Sequence, residues 1–157
     1  MKRNIVYLAV AAVPFIFACN QTDRKSASTA KDKEDSTINE NCYAAGFEKD
    51  SATLKVSILA SGKVTGTLVV NYAEMPKNDG EITGKFNGDT LLVDYRFKTG
   101  SDTVRTYTNP LAFLKKDGKL IMGVGQIETT LGRSYFSKGK PINYEKGKFT
   151  FVEVPCK

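Results

Sequence analysis

The chain has 157 residues, with 23 Lys plus Arg against 17 Asp plus Glu, three cysteines and no histidine. That length allows one domain behind a leader, and the missing histidine excludes His-based triads, dyads and metal sites. The formal charge of +6 is modest and dispersed. Nucleic-acid binding needs a clustered basic stripe or a recognised motif; neither is present, so no nucleic-acid partner is expected.

Lys2 and Arg3 open the chain, and Ile5 to Phe17 is an apolar stretch of 13 residues ending at Ala18 and Cys19. A transmembrane helix needs about 20 apolar residues, so this stretch, with Pro14 inside it, is too short to span. It reads as a signal over residues 1–18. Ile16-Phe17-Ala18-Cys19 resembles the lipobox of bacterial lipoproteins, with Phe17 where a small residue is usual. The resemblance implies cleavage before Cys19, acylation of its thiol and a membrane partner held through that lipid. Two or three acyl chains anchor stably, since each buried CH₂ contributes about 0.8 kcal/mol. Ordinary signal cleavage that leaves Cys19 free is the alternative.

Residues 19–40 then read as the lipidated cysteine and a flexible tether. Between Asn20 and Glu40 the single large apolar residue is Ile38, too little to offset the entropy of ordering the segment. A chain of this length reaches about 25 Å root-mean-square. The run Lys31 to Asp35 is solvating charge; charged segments after the lipidated cysteine also resemble surface-export signals of Bacteroidota lipoproteins, although this one lies far from Cys19.

Residues 41–157 hold 17 basic and 12 acidic side chains and alternate with period two. Leu54, Val56 and Ile58 share a face, and Ser61-Gly62 turns the chain. Val64, Gly66, Leu68, Val70 and Tyr72 follow, then Ile82, Gly84 and Phe86 after a polar loop from Glu74 to Gly80. Asn87-Gly88-Asp89 is hairpin-turn chemistry demanding positive φ. Leu91, Val93, Tyr95 and Phe97 alternate cleanly beyond it, and a strand from about Thr103 to Leu114 is interrupted by Asn109-Pro110, where proline requires an edge or bulge. Asp117-Gly118 leads into Lys119 to Thr129. Arg133 to Ser137 and Lys148 to Val154 complete about eight strands. Gly62 to Leu68 echoes Gly80 to Phe86, each with a glycine on the apolar face, which marks a bend or close approach.

The expected fold is therefore all-β, an antiparallel meander closing into a small lipocalin-like barrel, with a two-sheet sandwich as the alternative. Cys42 and Cys156 bracket the domain, and in an oxidising compartment such a pair reads as one disulfide. Two thiolates without histidine are an incomplete metal set, so no metal and no cofactor are expected. Gly84 to Phe97, with Cys42-Tyr43 at the start and Cys156 near the end, resembles small lipoproteins of the Bacteroidota. That resemblance carries no activity and implies no functional residue.

Chemistry is sparse. The candidate acids are Glu74, Asp79, Glu81, Asp89, Asp94, Asp102 and Glu128; Asp79 and Asp89 sit in turn contexts and Glu81 and Asp94 fall on the polar strand face, a poor setting for a catalytic pair. Tyr72, Phe86, Tyr95 and Phe97 either line an apolar ligand cavity or fill the core, and small barrels usually pack their interiors. In Lys119 to Thr129, the register with Ile121, Gly123, Gly125 and Ile127 inward is slightly favoured; the other points Leu120, Met122, Val124, Gln126 and Glu128 inward. The expected function is a non-enzymatic envelope lipoprotein at the outer membrane, binding a small apolar ligand or an envelope protein. The alternative is an inhibitor of a lysozyme-like or other envelope-attacking enzyme, because lipoprotein lysozyme inhibitors are also small disulfide-bonded barrels. It would act through Glu74 to Asp79 or Lys138 to Lys146. A glycan-directed enzyme ranks third.

Overall fold

The computed structural model describes residues 35–102 and 104–156. The signal at 1–18, Cys19 and the tether up to residue 34 lie outside the described residues. Ten strands follow in order: β1 (Thr37–Phe47), β2 (Asp50–Leu59), β3 (Lys63–Asn71), β4 (Asn78–Asn87), β5 (Thr90–Thr99), β6 (Tyr107–Lys116), β7 (Lys119–Met122), β8 (Ile127–Thr130), β9 (Arg133–Phe136) and β10 (Thr150–Val154). Every pairing is antiparallel, and eight strands close into a barrel in the order β1-β10-β7-β6-β5-β4-β3-β2. The β8–β9 hairpin forms a separate two-stranded sheet.

The alternating residues of the sequence set the barrel's two faces. Leu54, Val56, Leu68, Val70, Ile82, Leu91, Val93, Phe113, Leu120 and Phe151 point inward and are buried. Phe113 of β6 meets Phe151 of β10 edge-on at 5.7 Å between ring centroids, across the short β7. The turn glycine Gly88 takes φ 58°, as the Asn87-Gly88-Asp89 turn requires.

The echoed glycines Gly66 and Gly84 mark close approaches, by neighbouring backbone. A Cβ on Gly66 would lie 1.8 Å from the Lys55 carbonyl oxygen, and one on Gly84 would lie 1.9 Å from that of Leu92. Adjacent strands coil so tightly there that no side chain fits.

Pro110 explains itself through β7. The Gly123 N–H donates to the Ala112 carbonyl, 2.8 Å, so even-numbered residues of β6 aim their backbone groups away from β5. β7 pairs only with Phe113 to Lys116. The donor that Pro110 lacks therefore falls on an edge with no barrel strand beside it.

Membership of the barrel differs from expectation. β1 was not foreseen, and its first residues, Thr37 to Glu40, belong to the stretch read as tether. They are exposed and are held by their ladder to β2 rather than by burial, which hydrophobic periodicity does not detect. Asp35 takes hydrogen bonds from the Ser61 N–H, 3.0 Å, and from the Ser61 hydroxyl. The expected strand from Lys119 to Thr129 breaks after Met122.

The favoured register of that strand is also overturned. Met122 sits opposite the inward Phe113, so Leu120 and Met122 face the core and Ile121 does not. Ile127 is 47% exposed on the separate hairpin, and Gln126 and Glu128 have left the barrel with it. Gly123 and Gly125 serve packing outside the barrel: a Cβ on Gly123 would lie 2.4 Å from Ile142 Cγ2, and one on Gly125 would lie 2.7 Å from Phe136 Cδ1.

Candidate functional site

The disulfide Cys42–Cys156 is formed, with Cα atoms 5.2 Å apart across 114 positions of sequence. It ties β1 to the end of β10, where the last barrel strand meets the first. β10 pairs with β1 through Cys42↔Val154, Tyr43↔Glu153 and Ala44↔Val152, and with β7 through only Thr150↔Ile121 and Phe151↔Leu120. The sulphurs clasp this seam.

The four aromatic candidates do not converge on one cavity. Tyr95 and Phe97 are buried and stack at 4.6 Å, and the Tyr95 hydroxyl donates to the Leu68 carbonyl, 2.9 Å. Burial, with smaller contributions from Asp79 and Tyr72, raises the Tyr95 phenol above its ordinary pKa. Phe86 packs half-buried against the core. Tyr72 faces a cleft at one barrel end, whereas Phe97 edges a groove with Asp79, Arg96 and Lys98.

A broad, open cleft lies outside the barrel. Residues 123–148 leave β7 as the β8–β9 hairpin and return beside it, tied by paired bonds between Val124 and Asn143, both 2.8 Å. This side layer covers β6: Pro110 and Ala112 face away from the barrel core by alternation with Leu111 and Phe113, yet both are buried. The Arg133 guanidinium of the hairpin pairs with Asp94 of β5 at 3.2 Å. Between hairpin and wall opens a cleft of about 770 Å³. Its apolar surfaces come from Leu92, Pro110, Tyr135 and Phe136, and Lys63 and Lys85 stand at its other side.

A second cluster closes the barrel end where β10 begins. The Lys148 ammonium sits over the rings of Phe47, Tyr72 and Phe149 at 5.4, 5.6 and 5.9 Å, and donates to Asp50. Asp50 also accepts from the Ala73 N–H, 2.9 Å. The Lys148 bond, then the Ala73 bond, holds the Asp50 carboxyl below its ordinary pKa, while Asp50 raises that of Lys148. An aromatic cage with an acidic floor binds cations well, and here it is filled from within the chain.

The remaining acids are dispersed. Asp79 pairs with Lys77 at 3.0 Å, and Asp102 accepts from the N–H groups of Val104 and Arg105, which hold its carboxyl below the ordinary range. Among the described residues no group of three His, Cys, Asp or Glu side chains converges as a metal ligand set. Of the loops considered for an inhibitor, Asn78 and Asp79 belong to β4, and Asn143 of the 138–146 segment is bonded to Val124. Sequence reasoning missed both the cleft and the Lys148 cage, because each joins residues remote in the chain. The one local hint was the glycine spacing at Gly123 and Gly125.

No family model, no curated protein and no solved structure matches this chain. What the chain and its fold define is an all-β, disulfide-closed eight-stranded antiparallel barrel carrying a small outer sheet.

Proposed function

We propose that this protein is a non-enzymatic, lipid-anchored component of the bacterial envelope that binds a small apolar ligand. Attachment would be through Cys19, as the lipobox resemblance implies, and a disulfide across the seam suits an oxidising compartment. The observation that carries the binding reading is the cleft between the β8–β9 hairpin and the barrel wall. Its volume, about 770 Å³, is within the range of small-molecule sites, roughly 300 to 1,000 Å³. The barrel interior supports the reading less, because Leu54, Leu68, Phe113 and Phe151 fill it.

The test is native mass spectrometry of the protein purified from envelope fractions, paired with a Tyr135→Ala, Phe136→Ala variant. A bound small molecule released by that variant supports the proposal. Protein that is empty on isolation and unresponsive to apolar probes refutes it.

A further inference from the structure

We infer that the ligand of the outer cleft is an amphipathic anion, an acyl-type chain ending in a carboxylate or phosphate; this deepens the binding reading above and rests on it. The argument starts from a pairing that the barrel alone does not explain. Lys63 of β3 and Lys85 of β4 are directly opposed in the ladder, on the outward face and exposed. Like charges at such a position have Cβ atoms about 5 Å apart and destabilise the sheet. Among the described residues neither lysine has a carboxylate within ion-pair distance. Both line the cleft.

The row continues into apolar ground. Lys85 is opposed by Leu92 on β5, and Leu92 by Ala112 on β6. The side layer roofs this floor with Tyr135 and Phe136. The third cation, Arg133, already has Asp94, so the unneutralised charge lies at the β3–β4 side. From β3 to β6 is three strand spacings, about 14 Å at the usual 4.8 Å each. The cleft therefore offers two cations at one side and the apolar surface of Leu92 and Pro110 at the other. An anionic head between the lysines relieves their repulsion, and its chain covers the apolar floor.

The experiment titrates the purified full chain with decanoate, decyl phosphate, decanol and decylammonium, following backbone amide shifts by NMR. Decanoate or decyl phosphate is expected to bind at least tenfold more tightly than decanol, with shifts at Lys63, Lys85 and Leu92; their ratio separates a carboxylate head from a phosphate head. Decylammonium should bind most weakly. The Lys63→Ala, Lys85→Ala double variant should lose the anion preference, keep its affinity for decanol and unfold no earlier than the wild type. Equal binding of decanoate and decanol, or a preference that survives in the double variant, overturns the anion inference while leaving an apolar cleft. Failure of all four probes overturns the cleft reading itself.

Discussion

Removing the disulfide tests whether the seam is as weak as its pairing suggests. β10 contributes three register pairs to β1 and two to β7, against eight between β2 and β3. Cys42 and Cys156 are 114 positions apart, and on the chain-entropy treatment a loop of that length lowers the free energy of the folded state relative to the unfolded by about 5 kcal/mol. Domains of this size have a total stability of roughly 5 to 15 kcal/mol, so the cross-link is a large share of the whole. A Cys42→Ser, Cys156→Ser variant should lose about 3 to 5 kcal/mol, read as a lower urea midpoint by far-ultraviolet circular dichroism. The oxidised wild type in the same assay, with and without reductant, controls for the substitution itself. A loss below about 1 kcal/mol would refute the loop-closure magnitude and show that the β1–β10 pairing holds without the cross-link.

Three further outcomes are expected. Gly66→Ala forces a Cβ to within 1.8 Å of the Lys55 carbonyl oxygen; strand bending to relieve it should cost about 3 kcal/mol in thermal or urea unfolding, and a change under 0.5 kcal/mol would contradict the close approach. Leu131, at the hairpin tip, is fully exposed at φ 51° beside Gly132 at φ 76°. Leu131→Asn should therefore stabilise by about 1 kcal/mol, since asparagine tolerates the left-handed region that leucine does not; an unchanged melting temperature would refute this. Asp50 titrates below its ordinary 3.8 in the folded chain, so its contribution is complete above that value and is lost as pH falls through the folded pKa. Asp50→Asn should then flatten the fall in stability below about pH 4, and an acid limb identical to the wild type would sink the Asp50–Lys148 assignment.

Much of the barrel was legible because burial on one face of a strand forces alternation. Leu54 to Ile58, Val64 to Tyr72 and Leu91 to Phe97 each carry that period, and the sheet follows it. Asn87-Gly88-Asp89 and Asp117-Gly118 were equally legible, since positive φ restricts the residues a turn can use. β1 escaped because Thr37 to Glu40 is held by backbone ladder and by the Glu40–Lys55 ion pair at 2.9 Å, neither of which leaves an apolar signature. The Lys119 to Thr129 register was misjudged because the glycines there answer to Ile142, Tyr144 and Phe136 in the side layer rather than to the core. The site was legible only in part. Tyr95 and Phe97 belong to the core, while the cleft brings β3 to β6 residues against Arg133 to Phe136 of the hairpin, a juxtaposition that no local pattern encodes.

The truncated β7 has a consequence for behaviour at high concentration. From Tyr107 to Leu111, β6 has a free margin on the side away from β5, and exposed strand margins template intermolecular pairing and aggregation. Pro110 blunts this margin by withholding a donor, and β9 lies against the same strand. The outer hairpin is thus also a guard against self-association. A chain shortened through residues 124–147 would offer its neighbours an open strand, and in concentrated solution the first symptom would be oligomers rather than unfolding.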